Sequence, residues 1–321
     1  MAKIELLIKG SKNTFEPVIL DGITWETERK GSPSKLTFTC VKDSILAFEH
    51  GNQVQLKVDG KGVFMGFVFE KTRDKEQHIE VTCYDQLRYF KNKETYFLTN
   101  KTASQMLKAI CSDFNLTLGE VAETGYVAPK IAKDDSTLFD IIQEQLDRTV
   151  AYTNKLFCLY DDFGKITLKN VEDMKTNVVV DVNNTENFEY TSSIDSDTYN
   201  VIKLYRDNEE TGKREVYEVR DYNNVGNWGI LKLTESIQEG ENGQAKAEAY
   251  LKLKNRVTRT LKINGCFGDL SVRAGSSVYF TMNLGDKIIK NYLVCERVTH
   301  NFSENNHTMD LELIGGNLFY G

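Results

Sequence analysis

Proline is scarce in this chain, at three in 321 residues, and no segment is of low complexity. That composition excludes a disordered or linker-like protein. The six cysteines (40, 83, 111, 158, 266 and 295) form no CxxC pair and no short spacing. A zinc ribbon or a disulfide framework needs such spacing, so they are expected as buried apolar thiols. The longest apolar run, Val63 to Phe69, is far too short to span a bilayer. The opening Met-Ala-Lys-Ile-Glu-Leu-Leu-Ile-Lys-Gly alternates like a strand and lacks the apolar block of a signal peptide. A soluble protein made in a reducing cytoplasm is expected, with no membrane insertion. Positive charge is also in deficit, with a net charge of −7. Phosphate binding by counterion release needs clustered Lys and Arg, so no specific nucleic-acid binding is expected.

The motifs of catalysis are missing too. There is no Walker loop, no Gly-x-Ser-x-Gly elbow, no dinucleotide fingerprint and no His-Glu-x-x-His. Asp162-Phe163-Gly164 matches the magnesium motif of kinases. A kinase also needs a Gly-rich loop, a strand lysine and a His-Arg-Asp loop, none of which is here, so the triplet is expected to be a hairpin turn. The acidic pairs Asp161/Asp162, Asp195/Asp197 and Glu209/Glu210 lie in polar loop sequence, where solvated turns are the expectation rather than a glycosidase pair. His300 and His307 flank a hairpin turn and should face one another across it, as a polar hairpin end rather than a metal site. No enzyme activity, cofactor or metal is expected.

What is present is apolar and aromatic: 40% hydrophobic residues, with 15 Tyr and 17 Phe. That suffices for real cores, and 321 residues suggest two or three domains. Two distant stretches look alike. Gly51 opens a strand with Val54, Leu56 and Val58 alternating, then Phe67-Val-Phe-Glu-Lys71, then Ile79, Val81 and Cys83. Gly275 opens another with Val278, Phe280 and Met282, then Leu293-Val-Cys-Glu-Arg297, then Met309, Leu311 and Leu313. Twin copies of one β-module present two equivalent surfaces to a symmetric partner.

Short alternating strands fill residues 1–94, with a turn at Lys30-Gly-Ser-Pro33, and predict a closed or nearly closed antiparallel barrel. From 95 to 182 the pattern becomes α+β. Thr102-Ala-Ser-Gln105 is a capping box, a second helix starts near Asp135 or Ser136, and a hairpin turns at Asp161 to Gly164. Residues 183–321 return to β, with a helical insertion near 244–256. The predicted fold class is therefore mainly β with an α+β insert, two antiparallel β-barrel or sandwich domains flanking it in one chain.

Three stretches then carry a family likeness: Trp25-Glu-Thr-Glu-Arg-Lys-Gly-Ser-Pro33 with Leu36-Thr-Phe38, Gly62-Val-Phe-Met-Gly-Phe-Val-Phe-Glu-Lys71, and Tyr84-Asp-Gln-Leu-Arg-Tyr-Phe90. Thr124-Gly-Tyr126, Leu138-Phe-Asp-Ile-Ile142, Leu159-Tyr-Asp-Asp-Phe-Gly164 and His307-Thr-Met309 extend it. The chain resembles the tail hub proteins of PBSX-type prophages, the XkdQ/YqbQ-like group. The likeness covers most of the chain and is looser from 185 to 260.

It implies a central baseplate hub of a contractile tail or a phage-tail-like bacteriocin. Its two β-domains would resemble the tail-tube protein. A homotrimer would then offer a pseudo-sixfold ring to the hexameric tail tube on one face and to a trimeric spike protein on the other. Other baseplate proteins and the tape measure protein are implied partners. The place of work would be the baseplate of a virion or tail-like particle, assembled in the bacterial cytoplasm. A tail-associated cell-wall-degrading enzyme and a wall- or carbohydrate-binding tail protein are the alternatives. Trp25, Tyr84, Arg88 and Phe90 are the candidate subunit-interface residues, being large and near strand ends.

Overall fold

The computed structural model describes residues 3–10, 12–195, 197–208, 212–237, 240–285, 288–303 and 306–315. They form two compact units. One combines the chain up to Phe188 with Lys262–Leu313, and the other is centred on Glu189–Leu261.

The first unit opens with β1 (Ile4–Lys9), β2 (Thr14–Phe15), β3 (Ile19–Glu28), β4 (Lys35–Val41), β5 (Gln53–Val58), β6 (Lys61–Arg73) and β7 (His78–Tyr84). Strict alternation decides these strands. Leu36, Phe38 and Cys40 turn inward on β4, as do Val54, Leu56 and Val58 on β5, and all lie in one apolar core. The antiparallel order is β1-β5-β6-β7-β4-β3, with β2 on the outer edge of β1.

Then comes the α+β part: β8 (Lys93–Thr102), α1 (Ala103–Asp113), β9 (Leu118–Val121), β10 (Val127–Thr137), α2 (Leu138–Thr153), β11 (Phe157–Asp161) and β12 (Ile166–Asn170). The expected capping box is made: Thr102 Oγ accepts from Gln105 N, and the Gln105 side chain accepts from Thr102 N. Met106, Leu107 and Ile110 of α1 meet Leu138, Ile141 and Ile142 of α2 in a separate core. The second helix begins at Leu138, capped by Thr137, slightly later than its sequence start signal suggests.

A second β-module follows: β13 (Lys175–Val180), β14 (Asn187–Ser193), on which the chain enters the second unit, and β18 to β21, the first of which leads out of it. The second unit holds β15 (Val201–Asn208), β16 (Lys213–Arg220), α3 (Tyr222–Trp228), β17 (Lys232–Ser236) and α4 (Gly243–Lys254). Its sheet runs β16-β15-β17, and Ala247 of α4 packs with Ile202 and Leu204. The last strands are β18 (Thr258–Phe267), β19 (Ser277–Asn283), β20 (Ile288–Phe302) and β21 (His307–Ile314). The fold is mostly antiparallel β, with the α+β part inserted between two β-modules.

The duplication is real at the level of topology. Without β2, the strands of the first module lie in the order first-fourth-fifth-sixth-third-second. The second module, β13-β19-β20-β21-β18-β14, has the same order. One difference is that β1 is antiparallel to β5 while β13 is parallel to β19.

The sequence match itself is displaced by one residue. Val54 pairs with Gly66, and its counterpart Val278 pairs with Leu293. Phe67 therefore corresponds to Val294, not to Leu293. The shared Glu-basic ending falls on opposite faces in the two copies, because one residue of slip inverts a strand.

Candidate assembly seam

The two modules join edge to edge within one chain. The second half of β20 pairs antiparallel with β3, from Arg297 opposite Glu28 to Phe302 opposite Ile23. At one end of this seam Arg29 grips Glu296 through two nitrogens (2.6 and 3.1 Å), and Glu28 pairs with Arg297. Each ion pair joins residues that face one another, at two successive positions with the signs reversed, which fixes the register as well as the contact.

Farther along lies a stack of rings. Trp25 is 4% exposed and lies over His300 with centroids 5.0 Å apart, and His300 lies beside Phe302 at 5.9 Å. Phe302 stacks on His307 at 4.3 Å. His300 is fully buried. Its Nε2 donates to the Val272 carbonyl (2.8 Å), so its Nδ1 accepts from His307 Nε2 (2.9 Å). A carbonyl only accepts, and that fixes the neutral tautomer. Burial pushes the His300 imidazole down to about 4, against the Val272 carbonyl that favours its proton. Burial also lowers His307. The two histidines do face each other, as expected, and here they form a polar link inside an apolar seam.

A second junction ties the insert to both modules. Asp85, at the end of β7, accepts from Ser34 N (3.0 Å), from the Ser34 hydroxyl and from Leu87 N (2.9 Å). Asp161 accepts from Gln86 N and Nε2 (3.4 and 3.3 Å) and from Gly164 N. Both carboxyls are raised above the ordinary carboxylate range, chiefly by burial; for Asp85 the nearby Asp161 adds to it. Arg273, in the loop before β19, donates to the Asp161 carbonyl (3.3 Å) and lies 3.8 Å over the Tyr160 ring. The Asp162-Phe163-Gly164 turn belongs to this junction. Phe163 and Gly164 take positive φ (49° and 88°), the geometry of a tight hairpin. The Phe163 ring lies over Gly62 on β6, where a Cβ would come within 2.7 to 2.8 Å of it.

The four predicted contact residues separate. Tyr84 and Arg88 come together on a half-buried aromatic patch. Tyr84 meets Phe69 edge-on at 5.6 Å, and the Arg88 guanidinium lies 5.4 Å over Phe69. Trp25 is buried in the seam, and Phe90 is fully buried in the core of the insert, 5.5 Å from Phe139. All six cysteines are buried and free. Residue-by-residue reading missed Asp85, Arg273 and the Trp25–His300 contact. Each depends on segments more than fifty residues apart, and no local pattern marks them.

Among the described residues, the one cluster able to hold a metal is Asp74, Glu76 and His78. The Asp74 carboxylate already accepts from His78 N and Glu76 N, which closes the turn between β6 and β7. No helix of the described chain is long and apolar enough to cross a membrane.

The chain is 28% identical to the phage-like element PBSX protein XkdQ of Bacillus subtilis (strain 168), over 98% of each chain. Among solved structures, the 43 kDa tail protein of prophage MuSo2 from Shewanella oneidensis superposes with a TM-score of 0.72 at 12% identity, over 98% of this chain and 99% of that one. The E. coli c3393 protein is described as a component of the type VI secretion system with structural similarity to the T4 bacteriophage tail proteins gp27 and gp5. It superposes with a TM-score of 0.56 at 11% identity, over 97% of this chain and 77% of that one. A fold shared with the MuSo2 tail protein, the duplicated β-module and a family model matched over residues 23–314 converge: the chain belongs to the YQBQ-like family.

Proposed function

We propose that this chain is the baseplate hub of a contractile tail or tail-like particle. It acts as a homotrimer that joins the hexameric tail tube to a trimeric spike and lines the central channel. The two β-modules carry the ring-forming parts, β13 included, and the α+β part between β7 and β13 lies outside the bore. The role is structural, with other baseplate proteins and the tape measure protein as neighbours.

One observation carries this reading: each chain holds one finished seam and both halves of another. The stretch of β6 equivalent to the β20 half that meets β3 is Glu70–Arg73. It has β7 on one side, while β5 on the other side ends its pairing at Phe67. The strand equivalent to β3 is β14, which among the described strands pairs only with β18. Ile23 and Trp25 are buried on β3, whereas Phe188 and Tyr190 on β14 are only half-buried. Unpaired edges beside half-covered aromatics favour a second copy over solvent. Pairing β6 of one copy with β14 of the next repeats the internal seam. Three copies then make six modules in a closed ring, in which every β6 and β14 edge of this kind is paired.

The test is the mass of the purified chain in solution, alone and with the tube protein of its particle. Three chain masses are expected. A monomer in both mixtures at every concentration removes the reading. Arg88→Ala and Tyr84→Ala are expected to weaken assembly while the fold survives. Trp25→Ala and Phe90→Ala are expected to unfold the chain, losing about 3–5 kcal/mol each.

A further inference from the structure

The two modules differ at one gap. In the first module, the space between β1 and the end of β4 is filled from within. After β1 the chain doubles back as β2, with Thr14 opposite Lys9 and Phe15 opposite Ile8. The Val18 carbonyl then accepts from Val41 N at the end of β4 (3.0 Å). Phe15 packs on the apolar core and Pro17 is buried. The segment Asn13–Val18 thus bridges two strands and plugs the gap with two apolar side chains.

In the second module the same gap is open. Because β13 runs opposite to β1, it leaves the sheet at the other end, and only residues 181–186 connect it to β14. Glu186 N binds the Asn264 carbonyl (3.1 Å), so this link meets β18 short of its end. What is left is a cleft of about 790 Å³ between Lys175–Val180 and Cys266–Asp269, with Tyr160 and Arg273 in its wall. Each third strand ends just after a buried cysteine, Cys40 before Val41 and Cys266 before Phe267. Phe267 therefore stands where Val41 stands in the first module. It is 73% exposed at the cleft, and Val179 across from it is also exposed. Among the described strands β13 pairs only with β19, which leaves its other edge without a strand.

We propose that this cleft is a docking groove for an extended segment of another tail protein. The segment lies along β13 and seats an aromatic or prolyl side chain against Phe267, as Asn13–Val18 does in the first module. Strand addition to a free edge, with a side-chain pocket beside it, is a general mode of peptide capture. Each copy's own Thr14 and Phe15 are already paired with β1, so this segment of the same copy is not the occupant. The groove lies wholly within the first unit and does not depend on the ring.

The probe is a fluorescent peptide with the sequence of residues 12–20, Lys-Asn-Thr-Phe-Glu-Pro-Val-Ile-Leu, titrated with the full chain by anisotropy. Saturable binding is expected. Phe267→Asp, or Ala for Phe in the peptide, should weaken it by about tenfold or more. Phe267 is exposed, so the variant's thermal midpoint should match the parent and report an intact fold. Slowed amide exchange at 175–180 on adding peptide supports the groove. Absence of saturable binding, indifference to Phe267→Asp, or slowed exchange at β1 through strand replacement in the first module overturns it. None of these outcomes bears on whether the chain trimerises, which the mass measurement decides separately.

Discussion

His300 and Asp85 make the pH dependence of this fold a contest of opposite signs. His300 is held neutral, down to about 4 against an ordinary value near 6.5. Between those values the unfolded chain binds a proton that the folded chain refuses, so the His300 contribution is lost as pH falls from about 6.5 to 4. A full loss amounts to roughly 3 kcal/mol. Asp85 is raised above the ordinary carboxylate range, so its ionisation costs stability as pH rises above about 4. The substitution His300→Gln separates them, because a Gln amide can still donate to Val272 and accept from His307. Chemical denaturation from pH 4 to 7 should show wild type losing stability relative to His300→Gln as pH falls. A constant difference would mean that His300 is not held neutral.

Gln145 is the second residue of interest. It is buried on α2, and neither its amide nitrogen nor its oxygen has a protein partner. A buried polar group without a bond costs about 1–3 kcal/mol. Gln145→Leu is expected to raise the unfolding midpoint, and a lowered midpoint would show that the amide has a use.

At the scale of elements, the hairpin β11–β12 shows how a turn becomes a clasp. Its Asp-Phe-Gly tip is legible as a turn, but the sequence does not say what the Phe touches. The ring rests on Gly62, a place with no room for a side chain. Gly62→Val should therefore lift the hairpin and lose about 1–3 kcal/mol by overpacking. Faster amide exchange over 157–170 than over α1 would report the lifted hairpin. Uniform change across the insert would deny the clasp. The long strands β6 and β20 carry the same lesson in register. Their matched letters, Val-Phe-Glu-Lys and Val-Cys-Glu-Arg, are one position out of phase in space. Hydrogen bonding to β5 and β19 sets the phase, and short motifs recur by chance in alternating strands.

At the scale of the whole molecule, the proposed ring makes a geometric prediction. Arg73 and Tyr190 should lie opposite one another across the seam between copies, as His300 and Trp25 do within one chain. Directly opposed residues on antiparallel strands have Cα atoms about 4.5–5.5 Å apart, and disulfides need about 4.4–6.8 Å. A chain carrying Arg73→Cys and Tyr190→Cys should give covalent trimers on mild oxidation, while either single variant should not. The native thiols are all buried and should not interfere. A trimer that stays uncrosslinked would keep the hub reading and discard this seam.

The sequence alone determined the strands of the first β-module, the helices α1, α2 and α4, the insert between two β-regions and the family, because each rests on local periodicity, capping or contiguous motifs. Alternation placed Leu36, Phe38 and Cys40 inward, and the capping box placed α1, with no help from distant residues. Only the tertiary structure decided that Trp25 meets His300, that Asp85 shares a junction with Asp161, and that one module's gap is plugged while the other's is open. Those contacts are set by strand pairing across tens to hundreds of residues. The reversed direction of β13, which opens the groove, is a choice of pairing direction that no nearby residue records.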